Sequence, residues 1–119
     1  MPFKVDAQFE GSLHTVSVDG ELDQSTADQL RSALVTVLGA GAGSVLINLS
    51  DCSFIDSTGL SLLVEAKRRL GEEERGFGVC CVDDDVRRLL ELTGIDRAVG
   101  LFESRDEAIA ALGGTPAAG

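Results

Sequence analysis

An α/β fold built on a mixed, mostly parallel five-stranded sheet is what this sequence predicts. Three observations carry that expectation. Segments rich in aliphatic residues alternate with segments whose apolar residues recur at helical spacing. The resulting order is β-β-α-β-α-β-α-β-α, and strands joined through helices require crossovers and parallel pairing. Only the first connection is short enough for a hairpin, so the sheet opens with an antiparallel pair.

Residues 3–9, FKVDAQF, alternate without a break: Phe3, Val5, Ala7 and Phe9 against Lys4, Asp6 and Gln8. That is the pattern of a strand with one wet face. Glu10-Gly11-Ser12 turns the chain into a second strand, LHTVSV, at 13–18. VLINL at 45–49 is nearly all apolar, as expected of a central parallel strand covered on both faces. FGVCCV (77–82) and AVGLF (98–102) supply the other two strands.

About four helices fill the intervals. In the first, Thr26 and Gln29 have capping-box spacing, and Ala27, Leu30, Leu34, Val37 and Leu38 form the inward stripe. The second starts near Ser57, with Gly59, Leu62, Leu63, Ala66 and Leu70 on one face. In the third, Asp83, Asp84 and Asp85 occupy the first turn, where the macrodipole favours anions. Val86, Leu89 and Leu90 face inward, and Thr93-Gly94 is the stop signal. The fourth has a second capping box, Ser104 with Glu107, and turns Ala108, Ala111 and Leu112 inward. The expected organisation is one domain over 1–112 and a flexible tail at 113–119, GGTPAAG.

Composition narrows the function. The 119 residues suit one core, and 44% are hydrophobic. The formal net charge is −10. Nucleic acid and anionic membrane both need a basic footprint, so neither is an expected partner; a protein with a basic surface is. No apolar run reaches the ~20 residues that span a bilayer, and no secretory signal is visible at the N-terminus. The cysteines Cys52, Cys80 and Cys81 have no zinc-type spacing and read as reduced thiols of a cytoplasmic protein. Cys80 and Cys81, adjacent on a strand, should face opposite ways; a redox role stays open.

Several candidate sites fall away. Gly39, Gly41 and Gly43 precede a strand rather than follow one, so they are not a phosphate-cradling loop. His14 is the sole histidine and is expected on the surface. No metal site, cofactor site or Ser-His pair is expected, and Asp83 to Asp85 lack calcium-loop spacing. IDSTG echoes the Asp-Thr-Gly loop of aspartic proteases only faintly, since it runs into a helix and carries an extra residue.

What remains is the junction at 51–70, DCSFIDSTGLSLLVEAKRRL. A strand-to-helix turn in an open α/β sheet lies at the carboxyl ends of the strands, where such folds place ligands. Ser57 or Thr58 falls at the N-cap or in the first turn, Asp56 would cap adequately alone, and Gly59 permits close packing. A spare exposed hydroxyl beside free backbone N–H groups is a place to receive and hold a phosphate.

Two motifs add a resemblance. GELDQSTADQL (20–30) and FIDSTGLSLL (54–63) resemble the signatures of the STAS-domain anti-sigma-factor antagonists of bacteria, and the likeness continues through VRRLLELTGI (86–95). The resemblance implies a STAS fold. It implies that the serine after the aspartate, Ser57, is phosphorylated by the partner anti-sigma factor, an ATP-dependent serine kinase. A serine phosphatase would reset it. Asp23, Ser25, Thr26, Asp56, Thr58, Gly59 and Leu60 would form the docking face, and the protein would be no enzyme. Ser61 stands where many members have glycine, and Gln24-Ser25 where some carry bulkier polar residues. The alternative is a STAS-type scaffold whose binding ignores modification.

Overall fold

Parallel strands laid down in one direction force their right-handed crossovers onto one face of a sheet. That rule organises this chain. The computed structural model describes residues 3–81, 83–98 and 100–112. Its strands are β1 (Lys4–Glu10), β2 (Leu13–Leu22), β3 (Ser44–Ile55), β4 (Phe77–Cys80) and β5 (Gly100–Phe102). They lie in sequential order, β1-β2-β3-β4-β5, antiparallel between β1 and β2 and parallel thereafter. The helices are α1 (Ala27–Gly39), α2 (Ser57–Glu72), α3 (Asp84–Leu92), the single turn α4 (Ile95–Ala98) and α5 (Arg105–Leu112). α1 to α4 pack on one face over Val16, Val18, Val45, Ile47 and Val79. α5 covers the other face, where Ala108 joins Leu13, Leu46 and Cys80.

The predicted fold class holds, and its elements differ from expectation in instructive ways. β2 and β3 run well past 18 and 49 because backbone pairing carries the polar stretches Asp19-Gly20-Glu21 and Ser50-Asp51. Register shifts between Ser17 and Asp19 and between Gly20 and Glu21 accompany that extension, and Gly20 takes φ +114, open to glycine alone at little cost. β5 begins at Gly100 rather than 98, because Gly94 at φ +80 ends α3 and the chain winds one more turn that buries Ile95. β4 ends at Cys80, short of the expected 82; Val82, Val99 and the tail 113–119 lie outside the described residues.

Two caps and three burials are corrected. Thr26 makes no side-chain cap on α1, so no capping box forms with Gln29; the Asp23 carboxylate takes the N–H groups there instead. Ser104 does accept from the Glu107 N–H at 3.1 Å, while the Glu107 carboxylate accepts from Glu103 rather than Ser104. Ala111 is exposed, and half-buried Ile109 packs in its place. His14 is buried at 9% exposure, not on the surface: its Nε2 lies 3.0 Å from the Ala42 carbonyl and its ring packs against Phe9 at a 32° tilt. The α1–β3 loop folds over it, which strand periodicity alone does not reveal. β1 is wet on both sides, with Ala7 and Phe9 exposed and only Val5 half-buried.

Arg75 holds the far end of the sheet together. Its side chain is 5% exposed, and its guanidinium donates to the carbonyls of Gly43 (2.8 Å), Val37 (3.0 Å), Ala42 (3.0 Å) and Leu38 (3.3 Å). Those carbonyls belong to the end of α1 and the loop after it, groups that a helix leaves without internal partners. Arg75→Lys keeps the charge but loses the planar fork. The expected loss is about 1–3 kcal/mol of unfolding free energy, read from the urea midpoint at unchanged slope.

Candidate functional site

The carboxyl rim of the sheet brings the two sequence motifs side by side. Leu22 pairs with Ile55 at the ends of β2 and β3, so the loops beginning at Asp23 and Asp56 leave the sheet as neighbours. The Asp56 N–H donates to the Leu22 carbonyl at 3.1 Å, which fastens one loop to the other. Gly59 lies beneath this junction. A Cβ there would come within 2.8 Å of Ile55 Cγ1 and of Leu22 Cγ and Cδ2.

Asp56 is the N-cap of α2. Its Oδ1 accepts from the N–H of Thr58 (2.9 Å) and of Gly59 (3.2 Å), and its carbonyl accepts from the Leu60 N–H (3.0 Å). This corrects the expectation of free backbone N–H groups around the hydroxyl: a carboxylate already occupies them. Ser57, the first residue of α2, is exposed; Thr58 and Leu60 are half-buried and Gly59 is buried. Ser57 stands on a ridge between two open depressions. One, of about 390 Å³, is lined by Leu60, Ser61, Val64, Glu65, Thr93 and Ile95. The other, of about 450 Å³, lies towards α1, with Thr58, Ser61, Leu62, Glu65 and Arg31. Arg31 is paired with Asp28. Val64 is 46% exposed, which gives the first depression an apolar wall that the sequence reading did not single out.

The neighbouring loop is tied as a turn around Asp23. Its Oδ1 accepts from the Ser25 hydroxyl (2.7 Å), the Ser25 N–H (2.9 Å) and the Thr26 N–H (3.2 Å). In return the Asp23 N–H donates to Thr26 Oγ1 at 2.9 Å, and that hydroxyl donates to the Glu21 carbonyl at 2.8 Å. Asp23, Ser25 and Thr26 line a separate notch with Phe3 and Glu21. The Ser25 hydroxyl, aided by backbone N–H bonds from Ser25 and Thr26, holds the Asp23 carboxyl below its ordinary value of 3.8.

The cysteines stand apart from this rim chemistry. All three are buried, and Cys80 and Cys81 face opposite sides of the sheet as expected. Burial raises all three thiols, Cys81 to about 11. Such thiols hold little thiolate at neutral pH. Among the described residues no cluster of His, Cys, Asp and Glu has metal-binding geometry, and no helix is long and apolar enough to cross a membrane.

The fold and the paired loops define an α/β domain whose conspicuous surface is one end of the sheet. The chain belongs to the STAS-domain family, whose model matches residues 4–108. It is 30% identical over 95 residues to the anti-sigma-B factor antagonist of Staphylococcus aureus, covering 80% of this chain and 88% of that protein. An anti-sigma factor antagonist from Mycobacterium paratuberculosis superposes with a TM-score of 0.88 at 32% identity, over 93% of this chain and 94% of that one. Bacillus SpoIIAA in its phosphorylated form shares the fold, with a TM-score of 0.69 at 22% identity over 92% of this chain and 98% of that one.

Two outcomes follow for the rim. Gly59→Ala places a methyl group against packed Leu22 and Ile55, and should cost about 1–3 kcal/mol in denaturant unfolding. Asp23 should titrate below 3.8 by carboxyl-carbon NMR, and Ser25→Ala should move it upward. The sign is that of a depressed carboxyl: its contribution to folding is complete above the unfolded value and is lost as pH falls through the folded one.

Proposed function

We propose that this protein is an anti-sigma-factor antagonist that sequesters an anti-sigma factor and thereby frees a sigma factor, and that phosphorylation of Ser57 switches it off. One observation carries the reading: an exposed serine hydroxyl at the first residue of α2, between two depressions and beside the Asp23 turn. Family membership and the names of the relatives support it. The docking face comprises Asp23, Ser25, Thr26, Asp56, Thr58 and Leu60, with exposed Val64 as its apolar flank; Gly59, expected in this face, is buried and serves instead to seat α2 on Leu22 and Ile55.

The partner acts as kinase. The γ-phosphoryl of ATP passes to Ser57 Oγ, the hydroxyl proton leaves to solvent or a base of the partner, and ADP departs. A serine phosphatase returns the hydroxyl by hydrolysis. The chain is then a substrate and not a catalyst, and its action is cytoplasmic. The phosphoryl group adds about −1.5 to −2 charges beside Asp56. A helix N-terminus tolerates added negative charge, so the fold persists. A contact surface closing over it does not: an unpaired charge buried there costs on the order of 2–5 kcal/mol, or roughly 30-fold to several-thousand-fold in affinity.

Incubation with a cognate anti-sigma kinase and ATP should add one phosphate by intact mass, and Ser57→Ala should abolish it. Ser57→Asp should weaken anti-sigma binding by at least about 30-fold with the thermal midpoint nearly unchanged. Phosphate on another residue would overturn the site. Equal binding by Ser57→Asp and the parent protein would instead make the chain a scaffold.

A further inference from the structure

We infer that β1 is a self-complementary sheet edge, and that two copies of this chain pair through it as an antiparallel, two-fold dimer. The reasoning starts from where its backbone groups point. The Ser12 carbonyl accepts from the Ser44 N–H at 2.9 Å, so even-numbered residues of β2 direct their N–H and C=O groups to β3. Odd-numbered residues, Leu13, Thr15 and Ser17, therefore bond to β1, where they pair with Glu10, Gln8 and Asp6. The two-residue turn Gly11-Ser12, with Gly11 at φ +63, closes on the same Glu10–Leu13 pair. The N–H and C=O groups of Val5, Ala7 and Phe9 consequently point away from the sheet, in a row along its edge.

An antiparallel partner centred on Ala7 uses that row completely. Ala7 then pairs with Ala7 of the second copy, and Val5 pairs with Phe9 in both directions, each outward residue donating once and accepting once. Side chains agree with the backbone. On the α1 side, exposed Phe9 meets half-buried Val5. On the opposite side, Lys4 faces Glu10 and Asp6 faces Gln8, each pair occurring twice. The neighbouring registers that keep the hydrogen-bond parity fail on charge. A slip one way sets Asp6 against Asp6, and a slip the other way sets Asp6 against Glu10. Like charges directly opposite in a ladder destabilise it, so charge selects the Ala7-centred register.

The symmetry is closed, and the sheet becomes ten strands with no β1 edge left exposed. The other edge, β5, is only three residues long. Because the two β1 strands run in opposite directions, the carboxyl rims of the two copies point opposite ways. Each Ser57 surface stays open, so the dimer is independent of the reading proposed above. Strand pairing alone buries a small area, and the net charge of −10 on each chain opposes association. The expected dimer is weak and tightens with salt.

Sedimentation equilibrium from about 10 µM to about 1 mM tests the idea on the full chain, at low and moderate salt. The expected result is a monomer–dimer equilibrium. Lys4→Glu should weaken it about tenfold, as should Glu10→Lys, and the double exchange should restore it. Ala7→Pro removes an outward N–H and leaves the β2 ladder intact, and should abolish dimers. Thermal midpoints close to the parent's confirm that each variant is folded. If Ala7→Pro unfolds the chain, the charge-exchange set decides alone. A monomer throughout, or a dimer indifferent to Ala7→Pro and to charge exchange, would overturn the inference.

Discussion

Everything at the rim of this molecule depends on one register: Leu22 beside Ile55 at the ends of two parallel strands. Without it, the Asp23 turn and the start of α2 would be separate surface features. With it, the Asp56 N–H reaches the Leu22 carbonyl, and Gly59 lets the helix settle onto the Leu22 and Ile55 side chains. The interaction is modest in energy, a single net hydrogen bond of about 0.5–1.5 kcal/mol. Its effect is geometric. It fixes how far α2 stands above the sheet, and hence where the Ser57 hydroxyl meets solvent.

The same aspartate chemistry is used twice, one strand apart. Asp23 and Asp56 each follow the last apolar residue of a strand, and each turns its Oδ1 onto backbone N–H groups of the next residues. A short carboxylate satisfies donors that a helix start cannot satisfy internally, and it does so in the non-helical conformation a strand exit requires. The two loops differ in what they leave over. At Asp56 the residue that follows presents a hydroxyl with no assigned partner in the turn. At Asp23 both nearby hydroxyls are consumed, Ser25 by the carboxylate and Thr26 by Glu21. Only one of the two loops keeps an oxygen to spare.

Much of the fold was legible in the amino-acid order, because apolar periodicity reports burial and burial builds the sheet. The limits have the same cause. Where backbone pairing rather than side-chain burial sustains a strand, as at Asp19-Gly20-Glu21 and Ser50-Asp51, periodicity ends early. Where a distant loop covers a residue, as Ala42 does His14, no local pattern can register it. Arg75 escaped for a third reason: its partners are carbonyls at 37, 38, 42 and 43, and carbonyls are the same in every sequence. At the rim, the two motifs marked the loops that the structure sets side by side. The occupancy of the N–H groups by Asp56 was not, since capping and phosphate cradling draw on the same donors.

That occupancy constrains how a charge added at Ser57 can act. A phosphoryl group placed there would find the Thr58 and Gly59 N–H groups already bonded to a carboxylate. To bind them it would have to displace Asp56 and break the cap, a substitution worth about 0.5–2 kcal/mol to the helix. The cation lining the adjoining depression, Arg31, is engaged by Asp28. A phosphoryl group on Ser57 would therefore be best satisfied by water, held outward from the rim and next to the Asp56 carboxylate. A group in that position would leave the helix and sheet undisturbed and would act on whatever approaches from outside. The proposed switch would need no stored strain and no second conformation of the domain, only a docking partner that covers the serine.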